Sequence, residues 1–221
     1  MTTLLRVDAS IRVDGSVSRA LADSAEAAWR SEHPDGVVVR RDLGRHPIPG
    51  DVWPAAIGAA FGFAPDESAT HADAASATAL AAELSQEIRD ADAVLLAIPL
   101  YNYGISQHVK TWMDLLMVDR ELLAGEVLRG KPVILTLARG GGYSVGAPKE
   151  GWDHATPYLE RIFGEVFNMN IRKAVAELTL APVTPGMESL IDASKVSEEE
   201  AHLEAEKHAA VVAREVTGAA A

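Results

Sequence analysis

The chain has 221 residues, which suits one domain with a sizeable core, and we expect residues 1–221 to form a single domain. Its 48% hydrophobic and 24% charged residues are a normal globular balance, and the absence of cysteine excludes disulfides, cysteine nucleophiles and thiolate metal sites. The net charge of −12 opposes a nucleic-acid partner, no apolar run suits a membrane helix, and the N-terminus lacks signal-peptide zones, so we expect a cytoplasmic protein.

Strand-like and helix-like patterns alternate along the chain. The predicted strands are short apolar or alternating segments: 3–9, 37–42, 93–98, 132–138 and 174–180. The predicted helices have longer amphipathic or alanine-rich patterns: 18–33, 69–90, 106–118, 153–167 and 195–216. The third and fourth strands are continuously apolar, as in central parallel strands that are covered on both faces. Five strands alternating with five helices predict an α/β fold with a doubly wound parallel sheet.

Three parts of the chain fit this pattern poorly. In the first strand, Arg6 and Asp8 alternate with apolar residues, which is awkward for a central strand. Either these charges reach the sheet margin near residues 40–42, or the strand is misplaced. Residues 43–68 contain four prolines and four glycines and predict a long irregular loop with a functional or mobile role. Residues 181–194 are predicted to be a second irregular segment.

Ligands of open α/β sheets bind at the carboxyl ends of the strands, near the reversal of strand order. Ser10 and the sequence Ser16-Val17-Ser18 follow the first strand and precede a helix. Backbone N–H groups and hydroxyls at a helix N-terminus suit a phosphate. Helix capping by Ser16 or Ser18 explains the same residues. The segment is neither a P-loop nor a GxGxxG dinucleotide loop.

Two further segments follow the third and fourth strands. Residues 99–104 (PLYNYG) carry two phenols and an amide, which can border a flat heterocycle or simply pack the end of the sheet. Residues 139–143 (RGGGY) allow close backbone approach, although glycine runs occur in many turns. Because the fold brings all three segments to one edge of the sheet, together they predict a ligand site.

These segments resemble the FMN-binding segments of the FMN-dependent NADH:azoreductase/quinone reductase family, which has a flavodoxin-like fold. Further matches are the I-S-x-x-x-K-x-x-x-D-L pattern from Ile105 to Leu115, the TPYL run at 156–159 and the pair Ala176-Glu177. The resemblance covers nearly the whole chain, and its most specific element is the Pro-x-Tyr-Asn-aromatic loop. It implies a five-stranded parallel sheet of order 2-1-3-4-5 and a bound FMN.

The resemblance also implies where FMN binds. Ser10 and residues 16–18 hold the phosphate, residues 100–103 line the isoalloxazine ring, and residues 138–141 contact its other margin. The candidate cofactor-binding residues are Ser10, Ser16, Val17, Ser18, Pro99, Leu100, Tyr101, Asn102, Tyr103, Ala138, Arg139, Gly140, Gly141 and Tyr143. We predict no metal site, because the seven histidines lack metal-type spacing. The flavin carries the chemistry, and solvent or Tyr103 supplies protons.

The implied reaction is a ping-pong transfer of two electrons from NADH or NADPH to a quinone, azo compound or nitroaromatic. The family works as a homodimer with its substrate cavity at the subunit interface, where residues 43–68 could cover a flavin. Three alternatives stay open: a flavin reductase for a pathway-specific substrate, a non-catalytic FMN electron carrier, and a structural domain without cofactor. A hydrolase is disfavoured, because the chain has no GxSxG elbow.

The chain departs from the family pattern at three places. Ala138 replaces the usual serine before Arg-Gly-Gly, and Leu178 stands where members tend to have glycine. Residues 116–131 are shorter than in typical members and lack their aromatic-basic hairpin, which leaves the acceptor open. No acidic or arginine cluster distinguishes NADH from NADPH. Trp112 is predicted to pack in the core or at a dimer interface.

Overall fold

The computed structural model describes residues 1–63 and 71–218. Its strands are β1 Thr3–Asp8, β2 Val37–Asp42, β3 Ala93–Pro99, β4 Pro132–Ala138 and β5 Asn170–Ala176. They form one five-stranded sheet, parallel throughout, with the order β2-β1-β3-β4-β5. The predicted doubly wound sheet and its order 2-1-3-4-5 are therefore confirmed.

Helices cover both faces of this sheet. They are α1 Val17–Glu32, α2 Val52–Phe61, α3 Ala74–Asp90, α4 Gln107–Leu116, α5 Arg120–Leu123, α6 Thr156–Leu159 with a π-helical continuation Glu160–Val166, and α7 Ile191–Gly218. Short 3-10 turns span Ala181–Val183 and Glu188–Leu190. Within residues 1–63 and 71–218, no helix has the length and apolar character that a membrane crossing requires.

The two faces of the sheet have separate cores, as the strand period of two requires. In β3, Val94 and Leu96 pack with residues of α2, α3 and α4, whereas Leu95 and Ala97 pack with residues of α1 and α7. All residues of β3 and β4 are buried, which explains their continuously apolar sequences. The predicted core position of Trp112 is confirmed, because it is buried on α4 beside the ring of Phe163.

The predicted last strand, 174–180, is misplaced by four residues. The ladder pairs Pro132 with Asn170 and Ala138 with Ala176, so β5 ends at Ala176. Leu178 has a φ angle of 60°, which is incompatible with an extended strand. Because β5 begins with polar residues, the sequence pattern does not indicate a strand there. Polar side chains are tolerated at this position because β5 lies at the edge of the sheet.

The predicted irregular segment 43–68 contains a helix instead. Helix α2 occupies Val52–Phe61, and Pro54 lies in its first turn, where a missing N–H costs no hydrogen bond. Residues 64–68 of this segment, and 69–70 of the predicted helix 69–90, lie outside the described residues. Helix α3 begins at Ala74, because the side chain of Asp73 accepts a hydrogen bond from Ser76 N at 2.8 Å.

Three other helix boundaries also shift. The helix predicted at 153–167 begins at Thr156, because the Asp153 side chain accepts hydrogen bonds from the amides of Ala155 and Thr156 and so fixes the start of the helix. The helix predicted at 195–216 begins at Ile191, so the predicted irregular segment 181–194 consists of two 3-10 turns and the start of α7. The helix predicted at 106–118 is shorter and spans Gln107–Leu116.

The charges of β1 are explained by a buried ion cluster, since β1 is central between β2 and β3. The Arg6 guanidinium donates to Asp8 at 3.0 Å, to Asp23 at 2.6 Å and to Glu26 at 3.0 Å. Glu26 also accepts from Arg40 on β2. Of the two explanations left open for β1, misplacement is therefore excluded, and its charges are connected to Arg40 through Glu26.

Candidate functional site

The three predicted segments meet at the carboxyl edge of the sheet and line two adjoining cavities. The smaller cavity, of about 140 Å³, lies at the start of α1. The larger cavity, of about 720 Å³, is lined by residues of the segment 99–104, which we call the tyrosine loop, and of the segment 139–143, which we call the glycine loop. Leu100, Gly140 and Leu180 line both cavities, so the two spaces adjoin. A ligand with an anionic end and a flat end could occupy both.

The smaller cavity, which we call the serine pocket, has the chemistry of an anion site. Ser10, Ser16 and Ser18 line it, and all three are buried. Ser16 occupies the N-cap position of α1, but its side chain does not cap the helix and lies 3.4 Å from the Ser18 hydroxyl. The capping explanation therefore fails for Ser16. The hydroxyls and the positive end of the α1 dipole are placed to attract an anion.

Arg19 fixes the shape of the loop that carries Ser10. Its guanidinium donates to Ser10 O at 2.8 Å and to Arg12 O at 3.2 Å. Two further hydrogen bonds of 2.7 Å join it to the carboxylate of Asp42 and raise the pKa of the guanidinium. Tyr101 supports the same loop, because its hydroxyl lies 3.3 Å from the hydroxyl of Ser10. These contacts of Arg19 and Tyr101 therefore fix the loop that forms one side of the serine pocket.

The tyrosine loop is a tight turn with an unusual backbone. Asn102 and Tyr103 have φ angles of 48° and 67°, and Tyr101 and Gly104 exchange two backbone hydrogen bonds of 3.0 and 2.9 Å. Two consecutive positive φ angles define a type I′ turn, which is costly for tyrosine and typical of functional loops. The turn is held by His154, whose N–H donates to Tyr103 O at 2.9 Å. It presents Asn102 and Tyr103 to the larger cavity.

Two ion pairs of Arg139 support the glycine loop. Arg139 donates to Glu177 at 2.9 Å and pairs with Asp153 at 2.7 Å. Glu177 in turn accepts hydrogen bonds from Tyr143 N at 3.0 Å and from the Ser144 hydroxyl at 2.9 Å. The acidic side chain thereby fixes the course of the chain after the glycines.

Most of the sequence-predicted site residues line the two cavities. Thirteen of the fourteen line one cavity or both: Ser10, Ser16, Val17, Ser18, Pro99, Leu100, Tyr101, Asn102, Tyr103, Ala138, Gly140, Gly141 and Tyr143. Arg139 lines neither of these two cavities, because its side chain is committed to the ion pairs behind the loop.

Sequence reasoning missed the segment after β5, which forms one wall of both cavities. Thr179 N donates to Arg139 O at 3.1 Å and Leu180 N donates to Gly140 O at 3.2 Å. A Cβ on Gly140 would lie 2.6 Å from Leu180 Cδ1, so the Leu180 side chain packs directly against the glycine backbone. The strand wrongly placed at 174–180 concealed this wall. Lys149 of the larger cavity and Arg12 of the serine pocket were also missed, because neither belongs to a motif.

Among the residues that the structure describes, no group of three or more histidine, aspartate or glutamate side chains could hold a metal ion.

The fold and the site define a class of protein: a doubly wound α/β protein with a pocket of buried serines and an adjoining cavity at its topological switch point. Residues 2–207 match the Flavodoxin_2 family model, described as a flavodoxin-like fold, and the chain belongs to this family.

Named relatives support this assignment. A Frankia casuarinae protein named FMN-dependent NADH:quinone oxidoreductase is 38% identical, covering 96% of this chain and 100% of its own length. A Streptomyces coelicolor protein of the same name is 35% identical, covering 93% of this chain and 92% of its own length. The crystal structure of an azoreductase from Bacillus anthracis superposes with a TM-score of 0.74 at 26% identity, covering 95% of this chain and 99% of the other.

Proposed function

We propose that this protein is an FMN-dependent NADH oxidoreductase that passes two electrons to a quinone or azo compound. One observation carries the proposal: the start of α1, without a side-chain cap at Ser16, lies in a pocket of three buried serines that adjoins a cavity of about 720 Å³. Relatives named FMN-dependent NADH:quinone oxidoreductase support the same cofactor, donor and acceptor class.

The residues present fit FMN. The serine pocket offers hydroxyls and helix amides to a phosphate, and Arg12 adds a positive charge at its margin. The tyrosine turn offers backbone groups to a ring edge, and the glycine loop lets a flat ring approach closely. When bound, FMN supplies reversible two-electron chemistry. The chain then orients the ligand, borders it with the apolar side chains of Leu100 and Leu180, and can deliver a proton from the Tyr103 hydroxyl.

We also propose a homodimer located in the cytoplasm. Three aromatic side chains of α2 and the residues after it, Trp53, Phe61 and Phe63, are exposed. Tyr103, which lines the larger cavity, and Trp152, whose ring lies against that of Tyr103, are exposed as well. Exposed aromatic groups of this kind typically mark an interface. The net charge of −12 favours a small-molecule partner over a nucleic acid. Sedimentation velocity would distinguish a dimer from a monomer.

The first experiment is an absorbance spectrum after FMN loading and desalting, followed by anaerobic titration with NADH and NADPH. A retained flavin band that is bleached by NADH supports the reductase. A retained band that resists both nicotinamides would favour the electron carrier. Loss of the flavin on desalting would contradict the proposal, and the pocket would then need another ligand.

A matched pair of variants tests the serine pocket itself. We expect Ser18→Ala to weaken FMN binding by roughly tenfold, because a hydrogen bond to a charged group is lost. Ser85→Ala is the control, since Ser85 is also a buried helical serine, and its hydroxyl has no partner among the described residues. Fluorescence titration of FMN would measure both. Equal affinities for the two variants would contradict an anion site at Ser18.

A further inference from the structure

The larger cavity contains few charges. Among its lining residues that the structure describes, only Lys149 and Glu177 are charged. The Glu177 carboxylate is occupied, because it pairs with Arg139 at 2.9 Å and accepts hydrogen bonds from the glycine loop. Lys149 therefore supplies the positive charge of this cavity.

The ammonium of Lys149 is positioned by two aromatic rings. Its Nζ lies 5.3 Å from the centroid of the Tyr103 ring and 5.8 Å from that of Tyr143. The same atom lies 3.7 Å from the point that a Cβ on Gly141 would occupy, so it lies close to the glycine loop. These contacts hold the amine at the cavity wall by cation–π attraction.

This ammonium is available to a ligand. Lys149 is partly buried, and over residues 1–63 and 71–218 no carboxylate lies within the 4.0 Å of an ion pair with it. Partial burial strengthens its attraction for an anion, because fewer water molecules screen the charge. The chain as a whole carries −12 and repels anions at a distance, so a local cation is needed to bind one here.

We propose that Lys149 is a specificity-determining residue, whose ammonium binds a carboxylate or sulfonate substituent on the electron acceptor. This inference rests on the proposed function, because it assigns the acceptor class of the same site. It predicts that the protein prefers an anionic azo dye to the neutral ester of that dye.

The test compares a carboxylated azobenzene dye with its methyl ester. Equilibrium titration of the oxidised, FMN-loaded protein, followed through the visible band of each dye, gives a Kd without turnover. Lys149→Met removes the charge and keeps a long side chain, and Lys149→Arg restores the charge. Lys207→Met is the control, because it removes one positive charge from the exposed face of α7, outside the lining of this cavity.

We expect Lys149→Met to weaken binding of the carboxylate dye roughly tenfold relative to its ester, as the loss of one charge-assisted contact predicts. Lys149→Arg should recover most of this preference, and Lys207→Met should keep the wild-type ratio of affinities. A ratio that is unchanged by Lys149→Met would overturn the inference. A ratio that falls equally in Lys207→Met would also overturn it, since net charge alone would then account for the preference.

Kinetics separate this inference from the proposed function. The ratio of kcat/KM for the two dyes should follow the ratio of affinities. If Lys149→Met slows both dyes equally, the ammonium acts on the flavin rather than the acceptor, and the inference is overturned. If the wild-type protein fails to oxidise NADH, the proposed function fails, whereas the equilibrium titration still decides whether Lys149 binds the carboxylate.

Discussion

We expect Gly44→Ala to disrupt the serine pocket, because the added methyl group would clash with the loop after β1. Gly44 follows β2 and approaches the loop after β1 so closely that a Cβ would lie 2.0 Å from the carbonyl oxygen of Ser10. The same Cβ would lie 2.9 Å from Nη2 of Arg19, which donates to that carbonyl. The closest clash of Gly44→Ala is therefore with the backbone of Ser10, which cannot move aside as a flexible side chain can.

The size of the effect follows from this geometry. Real Cβ atoms keep at least 3.0 Å from such neighbours, so the Ser10 carbonyl must move by 1.0 Å or more. Overpacking of this kind costs about 1–3 kcal/mol, and loss of the charged hydrogen bond from Arg19 adds roughly 1.5 kcal/mol. A total of about 3 kcal/mol corresponds to a fall in Tm of roughly 6–12 °C for a chain of this size.

Two assays check this prediction, and the loop itself provides the control. Thermal unfolding without FMN should show the fall in Tm, and fluorescence titration should show weaker FMN binding because the loop after β1 has moved. Gly50→Ala is the control, since nothing lies within 4 Å of the added Cβ. A Gly44→Ala protein as stable as Gly50→Ala, with the same affinity for FMN, would refute the argument.

Two further predictions concern acidic residues, the partly buried Glu177 and the buried Glu26. Glu177→Gln should weaken FMN binding several-fold and lower stability by about 2 kcal/mol, because Arg139 loses one of its two carboxylate partners and keeps only Asp153. Wild-type values for both FMN affinity and stability would contradict this. Burial acts to raise the pKa of Glu26, but hydrogen bonds and charges from arginines, beginning with Arg30, lower it below the ordinary 4.5. Its stabilisation is therefore complete above pH 4.5 and is lost as the pH falls through the lower pKa of the folded state. Urea unfolding at several pH values should show a smaller acid dependence for Glu26→Gln, whereas the exposed Glu126→Gln should change little.

Much of the fold was predictable because hydrophobic periodicity reports burial directly. The continuous apolar runs of β3 and β4 identify strands that are covered on both faces, and their positions follow from that alone. The edge strand β5 was placed four residues too late, since one exposed face permits polar residues and weakens the pattern. Helix α2 was hidden because Pro54 suggests a break, although proline is tolerated in a first turn.

The candidate site was predictable only where its residues form a motif. The serine, tyrosine and glycine segments were found because each follows a strand at the same edge of the sheet. Leu180 and Lys149 reach the cavities from loops whose course depends on tertiary contacts, and no local pattern indicates them. Gly44 is similar, because its close approach to Ser10 is visible only once β1 and β2 are paired.

The charged residues Arg6 and Asp8 lie in β1, the strand that leads into the serine pocket. Two charges in a central strand are costly, yet Arg6 binds Asp8, and the Asp8 carbonyl accepts hydrogen bonds from the amides of Leu43 and Gly44 at 2.8 and 3.3 Å. Arg19, 3.9 Å from the Asp8 carboxylate, extends this network to the loop after β1. The buried charges are therefore linked through Arg19 to the loop that carries Ser10, while the backbone of Asp8 holds the loop after β2. A strand that violates its own hydrophobic pattern is in this way evidence for a binding site at its end.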